Sequence, residues 1–382
     1  MPEIDPFLIL VAALSLTPLL MVCWNLTLFG FCEKDLNDGE ELEGVPTRGA
    51  VSVLIPARNE VERLPGLLGD LAAQTDVEFE VVVFDDQSTD GTGELVDRWS
   101  ENDPRFRRVT GEGPESGWNG KQFACQRLAD EARYDEFLFL DADLRLQSDA
   151  VARIACTSWR WGIPLISGFP RLITVGLLER LLLPQIHFVL LGYLPMFWMR
   201  RSIKPSFGAG CGQCFFTDRD SYQRAGGHAV IRSSRHDGVQ LPRAYRRAGL
   251  RTDVFDASDC MSVRMYESGA EVWRGLSKNA EEGLGGKVSI WVWTVILGAG
   301  AWLPILLLLM GVGEGSTAAR SLLWACALAA PLGRVLLAWR LRQDPLSALL
   351  HPLGVLLLLS LQWHARIQRA RGRTVSWKER PV

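Results

Sequence analysis

At 382 residues the chain is long enough for one large domain with additions, or for two domains. Its 41 basic and 44 acidic residues leave a formal net charge of -3, which argues against nucleic acid as a partner and against an acidic tail. The 48% hydrophobic content is uneven: apolar residues collect at both ends, and the middle reads as a soluble α/β protein. Eight cysteines are scattered, and the one close pair, Cys211-Gly212-Gln213-Cys214, has no second pair or histidine to complete a zinc site. Ordinary reduced thiols are expected, and a disulfide framework is unsupported in a chain this long.

Residues 7–30 carry no charge and exceed the ~20 residues that a bilayer-spanning helix needs. The preceding Met-Pro-Glu-Ile-Asp is acidic where a signal peptide needs a basic start, so an uncleaved anchor is expected over residues 1–30. Lys34 and Arg48 follow it, which puts the N-terminus outside and the middle domain in the cytosol.

The middle domain opens with Val51-Ser-Val-Leu-Ile55, a buried strand closed by Pro56. Residues 59–73 place Leu64, Leu67, Leu68 and Leu71 at helical spacing. A second buried strand, 79–84, runs into the acidic loop that begins Asp85-Asp86, and a helix starts again at 93–99. Strand, helix, strand and helix in this order imply a parallel sheet, whose ligands bind at the carboxyl ends of the strands. Phe137-Leu-Phe-Leu140 is another apolar strand, followed at once by Asp141-Ala142-Asp143. In an extended segment residues i and i+2 face the same side, so both carboxylates can meet one ligand. Two hard oxygen donors suit Mg²⁺ or Mn²⁺, which in turn bind diphosphate oxygens. The plain alternative is a pair of solvated loop aspartates or a helix cap.

Residues 172–199 are apolar but contain Glu179, Arg180, Pro184, His187 and Pro195, which argues against a simple span. Helices lying in the membrane interface, flanked by Arg171 and Arg200-Arg201, are one reading, and a buried core helix pair is the other. Residues 288–312 and 321–339 are long enough to span, with Arg334 near one end where it could snorkel. Residues 346–363 carry His351-Pro352 and Gly354, and fit a span, a kinked span or a re-entrant segment. Three spans over 288–363 would put the C-terminus outside, whereas the basic tail 364–382 asks for the cytosol, so one of the three is expected not to cross.

Val53-Leu-Ile-Pro-Ala-Arg-Asn-Glu60, Val83-Phe-Asp-Asp-Gln-Ser-Thr-Asp-Gly-Thr92 and Leu140-Asp-Ala-Asp143, in this order, resemble the motifs of the family 2 glycosyltransferases. These are inverting enzymes of the GT-A fold, with a Rossmann-like, mostly parallel sheet. The resemblance covers about residues 50–285 and implies an α/β GT-A domain there, joined to transmembrane helices. It implies that Pro56, Arg58, Glu60, Asp85 and Asp86 contact base and ribose, and that Asp141 and Asp143 hold Mg²⁺ or Mn²⁺ on a UDP- or GDP-sugar. Gly117-Trp-Asn-Gly-Lys121 is similar to the family's lysine segment, where Lys121 would offset diphosphate charge; the alternative is a surface lysine capping a turn.

Gly208-Ala-Gly-Cys-Gly-Gln-Cys-Phe-Phe216 resembles the small-residue segment that precedes the family's base, and His236-Asp237-Gly238 stands where an acidic pair is usual. Asp237 is the candidate general base; otherwise it pairs with Arg232, Arg235, Arg243, Arg246 or Arg247. The closing Gln/Arg-x-x-Arg-Trp motif of polysaccharide synthases is absent. Trp273, Arg274 and Lys278 stand in that region, to line the acceptor site and stabilise the leaving diphosphate. The Trp-Lys-Asn arrangement before the membrane stretch and the C-terminal Gly372-Arg-Thr-Val-Ser-Trp377-Lys378 resemble a bacterial branch that glycosylates carotenoid or other isoprenoid lipids. The implied protein is multi-pass in the cell membrane, faces the cytoplasm, and takes a nucleotide sugar and a hydroxyl or carboxyl of a membrane lipid (carotenoid, hopanoid or similar). A polyprenyl-phosphate sugar transferase or polysaccharide synthase, and a degenerate membrane scaffold, are the competing readings.

Overall fold

The computed structural model describes residues 5–33, 49–371, 376–377 and 380–381. The orientation argument from Lys34 and Arg48, the acidic start at residues 1–4, the side chain of Asn279 and most of the 372–378 motif lie outside the described residues. The chain divides into two compact units. One takes residues within 1–29, 172–197 and 265–373, and the other residues 30–171 and 198–264.

In chain order, α1 (Pro6–Leu28) is followed by β1 (Val51–Ala57), α2 (Leu64–Ala72), β2 (Phe79–Asp85), α3 (Thr92–Asn102) and β3 (Phe106–Thr110). Next come α4 (Gly120–Glu131), β4 (Glu136–Leu140), β5 (Leu144–Leu146), α5 (Ala150–Trp161), β6 (Leu165–Phe169) and the short β7 (Arg171–Leu172). Helices α6 (Leu177–Leu182), α7 (Pro184–Tyr193) and α8 (Met196–Arg201) precede β8 (Cys214–Asp218), α9 (Arg219–Arg224), α10 (Asp237–Arg247), β9 (Thr252–Asp256) and β10 (Met261–Val263). The chain continues with α11 (Gly269–Gly283), α12 (Ser289–Leu309), α13 (Thr317–Arg340), α14 (Pro345–Leu349) and α15 (His351–Ala370).

The second unit is built on a seven-stranded sheet in the order β3-β2-β1-β4-β8-β6-β9. Strands β3, β2, β1 and β4 are parallel, as the alternation of strand and helix requires, and β8 runs antiparallel to β4 and β6. β1 and β2 pair from Val51↔Phe79 to Ala57↔Asp85, so both deliver their following loops to one edge. β8 is reversed, and the pairing Leu140↔Cys214 brings the segment before β8 to that same edge. Leu54, Val82, Phe84, Leu128, Phe137, Phe139, Phe215, Leu241 and Tyr245 form the core beneath it. Burying each of these larger side chains stabilises the fold by roughly 1.5–3 kcal/mol.

Three sequence boundaries shift. Pro56 does not close β1, which continues to Ala57. β4 runs beside β1 only as far as Leu54, so no ladder on that side asks Pro56 for an N–H. The helix expected from residue 59 begins at Leu64, because residues 59–61 bond sideways to the next loop: Asn59 N–H donates to Ser88 Oγ, Glu60 N–H to Thr92 Oγ1 and Val61 N–H to Asp90 Oδ2. Residues 141–143 form a turn, with Leu144 N–H donating to Asp141 C=O at 3.3 Å, and not the extended segment that the i, i+2 argument assumed.

In the first unit α1, α12 and α13 are long and apolar enough to cross a bilayer. The 346–363 stretch divides into α14 and α15, and α15 runs on through the polar positions Gln362, His364, Arg366 and Gln368. Arg334 does not snorkel: it is fully buried and donates to Gln343 Oε1 (3.0 Å) and Ser347 Oγ (3.2 Å). Asn25 of α1 donates to the carbonyls of Leu191 and Leu194, holding the end of α7 against α1. Glu179 and His187 are buried, while Leu177, Ile186 and Val175 are exposed.

Candidate active site

The site lies at the shared strand edge of the second unit. After β1 and β2 the two loops are laced together by the bonds just described and by Thr89 N–H to Asn59 Oδ1. Asn59 and Gln87 take positive φ (52° and 55°) to make the turns. Asp85 Oδ1 accepts from Ser88 N–H, and its Oδ2 lies 3.5 Å from Arg108. Arg58 donates to the carbonyl of Asp86 and lies 3.7 Å from its carboxylate. Arg58, Glu60, Asp85 and Asp86 thus belong to one braced pair of loops, with Pro56 at their root.

The centre is a lysine between two aspartates. Asn119 caps α4 by accepting from the Lys121 N–H at 3.0 Å, which sets Lys121 in the first helical turn. Its Nζ reaches Asp141 Oδ1 at 2.6 Å, Asp237 Oδ2 at 2.9 Å and the Gly212 carbonyl at 2.9 Å. Lys121 is therefore neither a surface lysine nor a turn cap. Asp237 opens α10, is 7% exposed, and accepts from Gly238 N–H through Oδ1. Its ion-pair partner is Lys121 and not the neighbouring arginines. Arg246, buried near the other end of α10, spends its guanidinium on Thr252 and the carbonyls of Ser202 and Met199.

Burial works against the Lys121 ammonium, but Asp141 and Asp237 outweigh it and hold the lysine well above its ordinary value. Burial likewise pushes Asp237 up, and Lys121 more than reverses this, leaving that carboxyl below its usual range. Asp141 ends above its usual range because burial, Asp237 and Glu60 together exceed the pull of Lys121. Asp143 is pushed up to about 7 by burial, with Asp141 and Glu60 adding to it. Its Oδ1 is buried with no hydrogen-bond partner. That orphaned oxygen, beside a second carboxylate, is what a hard divalent cation would satisfy. Among the described residues no three His, Cys, Asp or Glu side chains converge as a protein-only cage.

The glycine-rich segment before β8 has a steric reason. A Cβ on Gly212 would run into Asp237 Oδ1, and one on Gly238 would lie 2.7 Å from the Gly210 carbonyl. Two contributors escaped the sequence reading. Gly212 supplies the third acceptor for Lys121. His228, buried under the site, shares a 2.8 Å bond with Tyr222 Oη and is pushed down to about 3 by burial. The Asn-Gly-Lys spacing at 119–121 signals the cap; nothing local signals His228. Trp273, Arg274 and Lys278 lie on α11 of the other unit, where the Trp273 ring meets that of His364 at 5.7 Å and Arg274 is exposed.

Residues 52–155 match the Glycosyl transferase family 2 profile. The 4,4'-diaponeurosporenoate glycosyltransferase of Staphylococcus haemolyticus (strain JCSC1435) is 29% identical over 236 residues, 61% of this chain and 61% of that protein. The protein of the same name from Staphylococcus aureus (strain USA300) is 27% identical over 242 residues, 62% of each. The match thus spans a little under two thirds of the length of these curated relatives. A mannosyltransferase from Pyrobaculum calidifontis, solved in complex with GDP-Man and Mn2+, has 20% identity and a TM-score of 0.53, covering 96% of this chain and 98% of that one. Residues 52–155 thus carry a Glycosyl transferase family 2 domain, the sheet has the GT-A fold, and the chain is distantly similar to a carotenoid glycosyltransferase.

Proposed function

We propose that this protein transfers a sugar, with inversion, from a UDP- or GDP-linked donor to a hydroxyl or carboxyl of an isoprenoid-type membrane lipid such as a carotenoid or hopanoid. The observation that carries the reading is the Asp141–Lys121–Asp237 chain at the carboxyl ends of the strands, with the orphaned Asp143 oxygen beside it. The relatives' names supply the acceptor class, a carotenoid acid, and three apolar helices supply the membrane.

Asp141 and Asp143 would hold Mg²⁺ or Mn²⁺, whose charge would neutralise the donor's diphosphate. The braced loops holding Pro56, Arg58, Glu60, Asp85 and Asp86 receive the nucleoside. Asp237 accepts the proton of a hydroxyl acceptor as that oxygen bonds to the anomeric carbon and the diphosphate leaves. Both Asp237 oxygens already accept one bond, yet each keeps a lone pair for this proton. The sequence resemblance alone assigns Trp273 to the acceptor and Arg274 or Lys278 to the leaving diphosphate. Residues 172–199 seat the protein at the leaflet surface. With α1, α12 and α13 crossing and α15 not, the glycosyltransferase domain and the basic tail both face the cytoplasm, which removes the conflict over the C-terminus.

The test is to incubate membranes containing the full chain with a panel of labelled nucleotide sugars and extract the lipids. Metal-dependent label in an organic-phase lipid is expected. Label in an insoluble polymer points to a synthase, and no turnover and no nucleotide binding with any donor sinks the proposal.

A further inference from the structure

Lys121 has three N–H donors and spends all three, on Asp141 Oδ1, Asp237 Oδ2 and the Gly212 carbonyl. None is left for a phosphate oxygen. Asp141, the first carboxylate of the pair assigned to the cation, is thus engaged by an ammonium at 2.6 Å, while the nearby Asp143 Oδ1 has no hydrogen-bond partner. A divalent ion and an ammonium on one partly buried carboxylate repel strongly, since screening there is far weaker than in water.

We propose that Lys121 is an exchangeable counter-ion that occupies Asp141 in the resting enzyme and competes with the catalytic cation for it. This rests on the function proposed above. The backbone of Lys121 is fixed by the Asn119 cap and its side chain is a flexible stem, so the ammonium can leave Asp141 while the helix stays in place. Its bonds to Asp237 and Gly212 do not involve Asp141 and remain. The N–H released from Asp141 then becomes available to a diphosphate oxygen, the role the sequence motif suggests. Lys121 is in this sense a positioning residue: it keeps Asp237 ionised in both states and makes cation binding depend on an anionic donor arriving to take up the displaced ammonium.

The test measures Mn²⁺ affinity of the purified full-length protein, by calorimetry or by the electron-spin signal of free Mn²⁺, with and without the nucleoside diphosphate. In the wild type, Mn²⁺ binds weakly alone and more tightly with nucleotide. Lys121→Met tightens nucleotide-free Mn²⁺ binding on the order of tenfold or more, as expected when a charge is removed from this short range, and lowers transfer. Lys121→Arg keeps the charge and stays weak. Lys121→Met/Asp237→Asn, which leaves no extra buried charge, still tightens Mn²⁺ binding, by less than the single variant, and serves if the single variant folds poorly. Unchanged or weaker Mn²⁺ binding in both neutral variants, with wild-type binding still lost in Asp141→Asn, overturns the exchange and leaves the metal site standing. Mn²⁺ binding that ignores Asp141→Asn overturns both.

Discussion

Replacing Asp237 by Asn tests the base directly, because the change removes charge and almost no volume. Asp237 now accepts from Lys121 at Oδ2 (2.9 Å) and from Gly238 N–H at Oδ1 (2.8 Å); Asn keeps one of these two acceptors, and its NH₂ replaces the other. Lys121 also keeps Asp141 at 2.6 Å, so it is not left as an unpaired buried cation. The structural cost is one donor left without its acceptor and one charged bond made neutral, about 1–3 kcal/mol. The loops after β1 and β2, proposed to receive the nucleotide, make none of these contacts, and nucleotide affinity should change by no more than a factor of a few. Transfer to a hydroxyl acceptor should fall by roughly 10²–10⁴, the usual worth of a positioned general base. A carboxylic acid acceptor behaves differently. Its pKa near 4–5 leaves it ionised at neutral pH, so no proton need be removed, and the same variant should lose only about tenfold or less. Both acceptor types are assayed side by side in membranes by radiolabelled lipid extraction at fixed, saturating donor. Hydroxyl transfer within threefold of wild type, in a variant that remains folded at the assay temperature, would refute Asp237 as the base.

Two further changes probe how the site is held. Gly212→Ala puts a methyl into Asp237 Oδ1 and displaces the carbonyl that Lys121 uses, so transfer should fall about 100-fold through misplacement alone; Gly69→Ala on α2, where a Cβ meets nothing within 4 Å, is the control that stays active. Glu136, at the start of β4, is raised from 4.5 to about 7, chiefly by burial. Its folded form holds the proton more tightly than the unfolded chain does, so the penalty is absent below pH 4.5, grows as the pH rises, and is complete above about 7. Glu136→Gln should therefore stabilise the protein by up to roughly 3 kcal/mol at pH 8 and change little at pH 4.5, read as melting temperature in detergent; equal effects at both pH values would contradict the buried-charge account.

Strands β1, β2 and β4 were legible because each is a short, continuous apolar run ending in chemistry-bearing residues, the pattern of a strand buried on both faces. β3 was not. Its Phe-Arg-Arg-Val-Thr sits at the sheet edge, and Arg107 and Arg108 find partners in Glu80 and in Asp85 and Asp97. Edge position and tertiary ion pairs override what looks locally like a polar loop. Arg334 failed for a related reason: hydropathy sees a charge near a helix end, whereas Gln343 and Ser347, further along the chain, make a polar socket for it.

The site itself divides along the same line. Asp141, Lys121 and Asp237 could each be marked from a local motif, but each then had a separate role and a separate bland alternative. What joins them is the direction of β8. A parallel β8 would enter the sheet at its far edge and carry residues 208–213 away from Asp141. Because β8 runs antiparallel, Cys214 stands opposite Leu140, the Gln213 carbonyl accepts from Asp141 N–H at 3.1 Å, and the Gly212 carbonyl lands on Lys121. α10 packs its first residue against that bare Gly212, and Asp237 arrives with it. Strand direction is a non-local property with no signature in Cys-Phe-Phe-Thr-Asp, so the three residues were legible and their hydrogen-bonded chain was not.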